Sequence, residues 1–383
     1  MRSLTHRQRI LKALNHEEPD RVPIDFGSTG NTGITSYSYD NLKKYLGINT
    51  ETNILLKYMK LVEVEEEILK RFDVDTRGIW TGCDDIWEDI LFPDGSYQDE
   101  WGVIRYKSPT SHFYEIVKSP FKEGLSSNAI DRFMWPDPNN KGRIMGIKEK
   151  VKYLRENTDY AVVLYVMGGF TTLSQSMRGL EGWLEDILLE PELVGELLDR
   201  TLAYQMGLTT AALKDANCDV DVVHFGDDLG TQNGLMISPE TYRKIIKPRQ
   251  AKLFENVRNN SNAKILYHSC GSNYEVFNDL IEIGMDAYNP VQHNTWKMDC
   301  KTLKEEFGSK VTFWGGIDTN YVLPRGSTDE VAEEVKKRIS ILAPGGGYVL
   351  NSVHNIQPEV PPENICAMFD AARKYGRYPI KES

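Results

Sequence analysis

Lys264-Ile-Leu-Tyr-His268-Ser-Cys270-Gly271 reads as an apolar strand that ends in two soft metal ligands and a glycine able to turn the backbone. Seven further apolar or β-branched runs accompany it. They are 21–26 (RVPIDF), 76–80 (TRGIW), 161–166 (AVVLYV), 220–225 (VDVVHF), 286–291 (DAYNPV), 311–315 (VTFWG) and 348–353 (YVLNSV), separated mostly by segments long enough to hold a helix. Strand alternating with helix implies a parallel sheet, and eight such units predict closure into a (β/α)8 TIM barrel.

Helix start signals lie between the runs. Ser238 precedes Pro239 as an N-cap with proline at the first helical position, Thr328 precedes Asp329 and Glu330, and Pro361-Pro-Glu-Asn opens the last helix. Residues 4–14 read as a short amphipathic helix within an N-terminal extension over 1–20. Between the second and third strands, Phe92-Pro-Asp-Gly-Ser-Tyr and the alternating 101–106 segment predict a β-hairpin with a Pro-Asp-Gly turn, inserted over 92–118. The expectation is one barrel domain spanning 1–383.

The chain has 383 residues, 40% hydrophobic and 26% charged, enough to bury a large core. Its net charge of -11, from 45 basic against 56 acidic residues with no basic cluster, argues against nucleic acid or an anionic membrane as partner. The cysteines at 83, 218, 270, 300 and 366 are scattered and do not resemble a disulfide framework, which predicts a reducing cytoplasm. The N-terminus lacks the apolar core of a signal peptide, and no stretch reaches transmembrane length.

Barrel enzymes build their sites from the loops after each strand, and polar residues collect there. The fourth strand ends in His224-Phe-Gly-Asp227-Asp228 and the fifth in His268-Ser-Cys270. The sixth ends in Tyr288-Asn289-Pro-Val-Gln292, the seventh in Trp314-Gly-Gly-Ile-Asp318 and the eighth in Asn351-Ser-Val-His354-Asn355. His268 and Cys270 suit zinc, which takes imidazole and thiolate together, and His354 is the candidate third ligand. Asp227, Asp228, Asn289 and Asp318 are the candidate catalytic residues. Asp318 and Asn355 read equally as caps or turn formers, and His224 reads as a hydrogen-bonded core histidine. Trp80, Tyr165, Tyr267, Tyr288 and Trp314 read either as an aromatic substrate pocket or as ordinary packing.

The opening Thr5-His-Arg-Gln-Arg-Ile-Leu-Lys-Ala-Leu-Asn-His-Glu-Glu-Pro-Asp-Arg-Val-Pro, the Tyr267-His-Ser-Cys-Gly segment, Phe313-Trp-Gly-Gly-Ile-Asp and the tail from His354 to Asn364 resemble the uroporphyrinogen decarboxylase superfamily over nearly the whole chain. That TIM-barrel group contains the heme-pathway decarboxylases and the corrinoid-linked methyltransferases, among them methylcobamide:coenzyme M and O-demethylase types. The decarboxylase branch carries an Arg-rich motif for a substrate with many carboxylates. Here the first strand is followed by Gly27-Ser-Thr-Gly-Asn-Thr-Gly instead, which removes the bidentate basis for porphyrinogen binding. In the methyltransferase branch a His-x-Cys pair binds zinc, matching His268 and Cys270, while the usual third-ligand cysteine is His354 here.

The resemblance therefore implies a cytoplasmic zinc methyltransferase that moves a methyl group between a small molecule and a corrinoid held on a separate partner protein. Asp227 or Asp228 would serve as a fourth ligand or hydrogen-bond a ligand imidazole. The alternative is a metal-independent decarboxylase of a small carboxylate, with Asp227, Asp228 and His354 as acid and base. A homodimer is an expectation from the resemblance alone.

Overall fold

The computed structural model describes residues 4–380, so positions 1–3 of the expected N-terminal extension lie outside the described residues. Seven strands form one parallel sheet in sequential order: β1 (Thr76–Trp80), β2 (Ala161–Tyr165), β3 (Val222–Gly226), β4 (Lys264–His268), β5 (Ala287–Asn289), β6 (Thr312–Ile317) and β7 (Tyr348–Ser352). Each falls on an expected run, because short β-branched segments buried on both faces suit a parallel sheet flanked by helices.

The expected first strand is the exception. Residues 21–26 form only isolated bridges, at Arg21 with Arg377 and at Ile24 with Leu350. Pro23 has no N–H to give a ladder, and the Ile24 N–H goes to the Asp75 carboxylate at 2.7 Å rather than to a strand carbonyl. The segment still meets both edges of the sheet. Leu350 N donates to Pro23 O at 2.8 Å on the β7 side, and Asp75 N donates to Ile24 O at 2.8 Å just ahead of β1.

Alternation along the strands sorts side chains into two cores. The inner one joins Ala161, Val163, Val222, Leu266, Ala287, Trp314 and Val349 to Ile10, Ala13 and Leu14 of helix α1 (His6–Leu14), so this amphipathic helix closes the end of the sheet from which the strands start. Thr5 caps α1 in a reciprocal box with Gln8. Arg9 and Arg21 then converge on the buried Asp75, at 2.6 Å each, which ties α1 and the irregular segment to the base of β1. The outer core lies between strands and helices.

Two local expectations shift. Ser327, not Thr328, caps the helix Thr328–Leu342, because its hydroxyl accepts from Glu330 N while the Glu330 carboxylate returns to the Ser327 N–H. The insertion is larger than a hairpin. The Pro-Asp-Gly turn joins Ile90–Leu91 to Tyr97–Gln98, but Ile104–Tyr106 and Glu115–Lys118 extend the pairing to a four-stranded antiparallel sheet. Its Arg105 lies 4.7 Å over the Tyr58 ring, and burial, with Asp99 and Asp228 adding, pushes the Tyr58 phenol up. Among the described residues no helix is long and apolar enough to cross a membrane.

Candidate metal centre

Parallel pairing of β4 with β5 sets His268 opposite Asn289. Asn289 Nδ2 donates to Trp314 O at 2.9 Å, so Oδ1 is the atom turned toward His268, 2.5 Å from Nδ1. An amide oxygen only accepts, so the ring carries its proton on Nδ1 and keeps the Nε2 lone pair free. That Nε2 lies 3.3 Å from Cys270 Sγ.

The loop that carries Cys270 is pinned by its backbone. Cys270 N donates to Asp228 Oδ1 at 2.9 Å and Gly271 N donates to Gln292 Oε1 at 2.7 Å. Gly271 sits at φ +77°, where a Cβ would come within 2.6 Å of Gly230 O and Thr231 N, so glycine alone lets the 230–231 segment pass. His354 arrives from the loop after β7 and meets His268 edge-on, ring centroids 5.4 Å apart.

One ligand atom each from His268, Cys270 and His354 lies within 4.8 Å of the other two. Tetrahedral zinc with these donors separates them by roughly 3.3–3.8 Å, so the His268–Cys270 pair already fits and His354 needs only a small side-chain adjustment. Burial, reinforced by His354 and opposed by Asp228, holds His268 down to about 4, and burial lowers His354 as well, so both rings are neutral ligands near pH 7. Burial and the adjoining Asp228 push the Cys270 thiol well up. A divalent cation is the group that would reverse this and stabilise the thiolate. The donor set therefore fits zinc.

The four candidate catalytic residues separate in space. Asn289 orients His268, and Asp228 keeps its Oδ1 3.8 Å from His268 Nε2 with a side chain about half exposed. Asp227 does not face the trio: its buried carboxylate accepts from Thr172 N at 2.8 Å at the start of the helix Phe170–Arg178, and its own N–H donates to His268 O at 3.0 Å. Burial, with Asp228 adding, pushes that carboxyl up to about 7. Asp318 caps its own turn, accepting from Asn320 N at 2.8 Å and Val322 N at 3.4 Å. Asn355 likewise ties loops together through Gly30 O and Gln357.

His224 departs from the expectation of a hydrogen-bonded core residue. It is fully buried, but neither ring nitrogen has a hydrogen-bond partner; the rings of Tyr165 and His268 surround it instead, and burial holds it well below its ordinary value. Of the rim aromatics, Tyr267 and Tyr288 donate their hydroxyls to backbone carbonyls of 227 and 269, and Trp314 donates to Asp25. Those three are structural, whereas Trp80 and Tyr165 pair at 4.6 Å next to His224.

A cavity of about 550 Å³ opens over Cys270 and His354, with Gln232, Gln292, Asn320 and Gln357 on its wall. Of these amides only Gln292 stands out in the sequence, as a polar residue after the sixth expected strand. The Gln-Asn-Gly turn at 232–234 marks one of the loops, but nothing local shows that five loops meet there.

A curled parallel sheet with such a trio at the ends of its strands has the layout of a barrel enzyme's site. The family model described as uroporphyrinogen decarboxylase (URO-D) matches residues 116–375, and the chain belongs to that family. It is 25% identical over 269 residues to the methylcobamide:CoM methyltransferase MtaA of Methanosarcina barkeri, covering 68% of this chain and 71% of that protein. It is also 24% identical over 393 residues to the uroporphyrinogen decarboxylase of Pseudoalteromonas atlantica, covering 96% of both. A solved methyltransferase from Methanosarcina mazei shares the fold, with a TM-score of 0.66 at 20% identity over 97% of this chain and 99% of that one.

Proposed function

We propose that this chain is a cytoplasmic zinc-dependent methyltransferase, a single barrel unit that moves a methyl group between a small molecule and a corrinoid on a separate protein. The observation that carries the reading is the convergence of His268, Cys270 and His354 within 4.8 Å beside an open cavity. Similarity to MtaA-type methyltransferases supports it. Zinc bound there would act as a Lewis acid, lowering the pKa of a thiol or polarising an ether oxygen.

The chain's own residues do the rest. Asn289 fixes the His268 tautomer, Gly271 and Asp228 hold the Cys270 backbone, and Asp228 supplies negative charge beside two neutral imidazoles. The open mouth leaves room for a methyl carrier to approach the cavity from outside.

The test combines metal analysis with a transfer assay. About one zinc per chain is expected, lost in Cys270→Ala and His354→Ala, together with methyl transfer between methylcobalamin and 2-mercaptoethanol that both substitutions abolish. Zinc-free protein that releases carbon dioxide from a small carboxylate, with Asp228 and His354 required, would instead establish the metal-independent decarboxylase.

A further inference from the structure

The wall of the cavity over Cys270 and His354 has a charge pattern of its own. Among its described lining residues none is Lys or Arg, none is Phe, Tyr or Trp, and Glu359 is the sole carboxylate. Besides Thr231, Thr319, Cys270 and His354, its neutral hydrogen-bonding side chains are the amides of Gln232, Gln292, Asn320 and Gln357. Gln292 spends Oε1 on Gly271 N and keeps Nε2, whereas Gln357 spends Nε2 on Asn355 O and keeps Oε1. Asn320 and Gln232 add two side-chain amides on the rim. At the 318–322 turn the N–H groups of Asn320 and Val322 are already taken by Asp318. Arg105, above Tyr58, is paired with Asp99 at 3.2 Å.

Carboxylates, sulfonates and phosphates are held by fixed guanidinium or ammonium groups or by free backbone N–H groups. Methylated ammonium groups are held by aromatic faces. The side chains of this wall offer neither a guanidinium or ammonium group nor an aromatic face. A dication with one thiolate would leave one positive charge at the trio, which Asp228, 3.8 Å from His268 Nε2, and Glu359 on the same cavity wall would oppose. We infer that the molecule entering this cavity is uncharged, its polar end a hydroxyl, ether or similar neutral group held by Gln232, Gln292, Asn320 and Gln357. The inference rests on the methyl-transfer reading only for what happens at the reacting end.

The test uses 2-methoxyethanol and 2-methoxyethanesulfonate, which differ only in the terminal group, titrated against the full chain by ligand-observed saturation-transfer NMR, with zinc measured on the same sample. The alcohol is expected to bind at least about tenfold more tightly, and Asn320→Lys or Gln232→Lys should each narrow that preference by about threefold, the worth of an exposed ion pair. Glu359→Gln should narrow it in the same direction. Equal or tighter binding of the sulfonate, no binding of either probe, or a preference that both lysine variants leave unmoved overturns the inference. A preserved alcohol preference in protein that takes up no zinc supports it while removing the metal reading.

Discussion

Asn289 accepts the Nδ1 proton of His268 at 2.5 Å, and the other nitrogen of the same ring faces Cys270 Sγ at 3.3 Å. The two residues are 21 positions apart and meet only through the β4–β5 register. Partners of this kind set both the tautomer and the orientation of a ligand histidine.

Asn289→Ala should therefore weaken zinc binding by about 10- to 100-fold without touching a ligand. Competition against a chromophoric chelator reads the affinity directly. An unchanged constant would show that His268 is oriented by packing alone.

Gly271→Ala is expected to destabilise the fold by more than about 1 kcal/mol, since the residue sits at φ +77° against the backbone of 230–231. The strain falls on the turn that positions Cys270, so metal content should drop with stability. Urea unfolding beside metal analysis separates the two effects.

Arg21→Ala leaves the buried Asp75 carboxylate with Arg9 and His6 but without one of its two guanidinium partners. Breaking a buried ion pair costs about 3–5 kcal/mol, so a large loss of stability is expected far from the candidate site. Double substitution with Asp75→Asn should cost less than the sum of the two single changes, which a mutant cycle would measure.

Glu334 links stability to pH. Burial opposes its ionisation, but His293 and Arg338 outweigh it and hold the carboxyl down to about 2, against an ordinary 4.5. A depressed folded-state value means the stabilisation is fully present above pH 4.5 and fades as pH falls toward 2. The span corresponds to on the order of 3 kcal/mol. Glu334→Gln should flatten the stability profile across that acid window, read by chemical denaturation at several pH values. The same cluster anchors the loop that carries Gln292 into the cavity wall.

The seven strands of the parallel sheet and the His268/Cys270 pair were legible because their signals are local. An apolar run such as 264–267 announces a buried strand whatever surrounds it, and a histidine and a cysteine two residues apart at its end carry their chemistry in the side chains. The roles of the acids were not legible. Asp227 and Asp228 are neighbours of one type, yet Asp227 caps a helix starting at Phe170 while Asp228 reaches the loop of Cys270. Asp318, which reads evenly as a rim carboxylate or a turn former, is spent on its own turn.

Sequence alone thus marked the seven runs that become the strands of the parallel sheet and the residues that offer soft ligands, since each follows from composition and spacing over a few positions. Tertiary structure decided that Pro23 and the Asp75 carboxylate reduce the first stave to isolated bridges, and that Asn289 stands beside His268. It also decided that an amide wall without lysine or arginine lies over the trio. Those facts depend on register and on which loops meet at the ends of the strands, distances that no local pattern encodes.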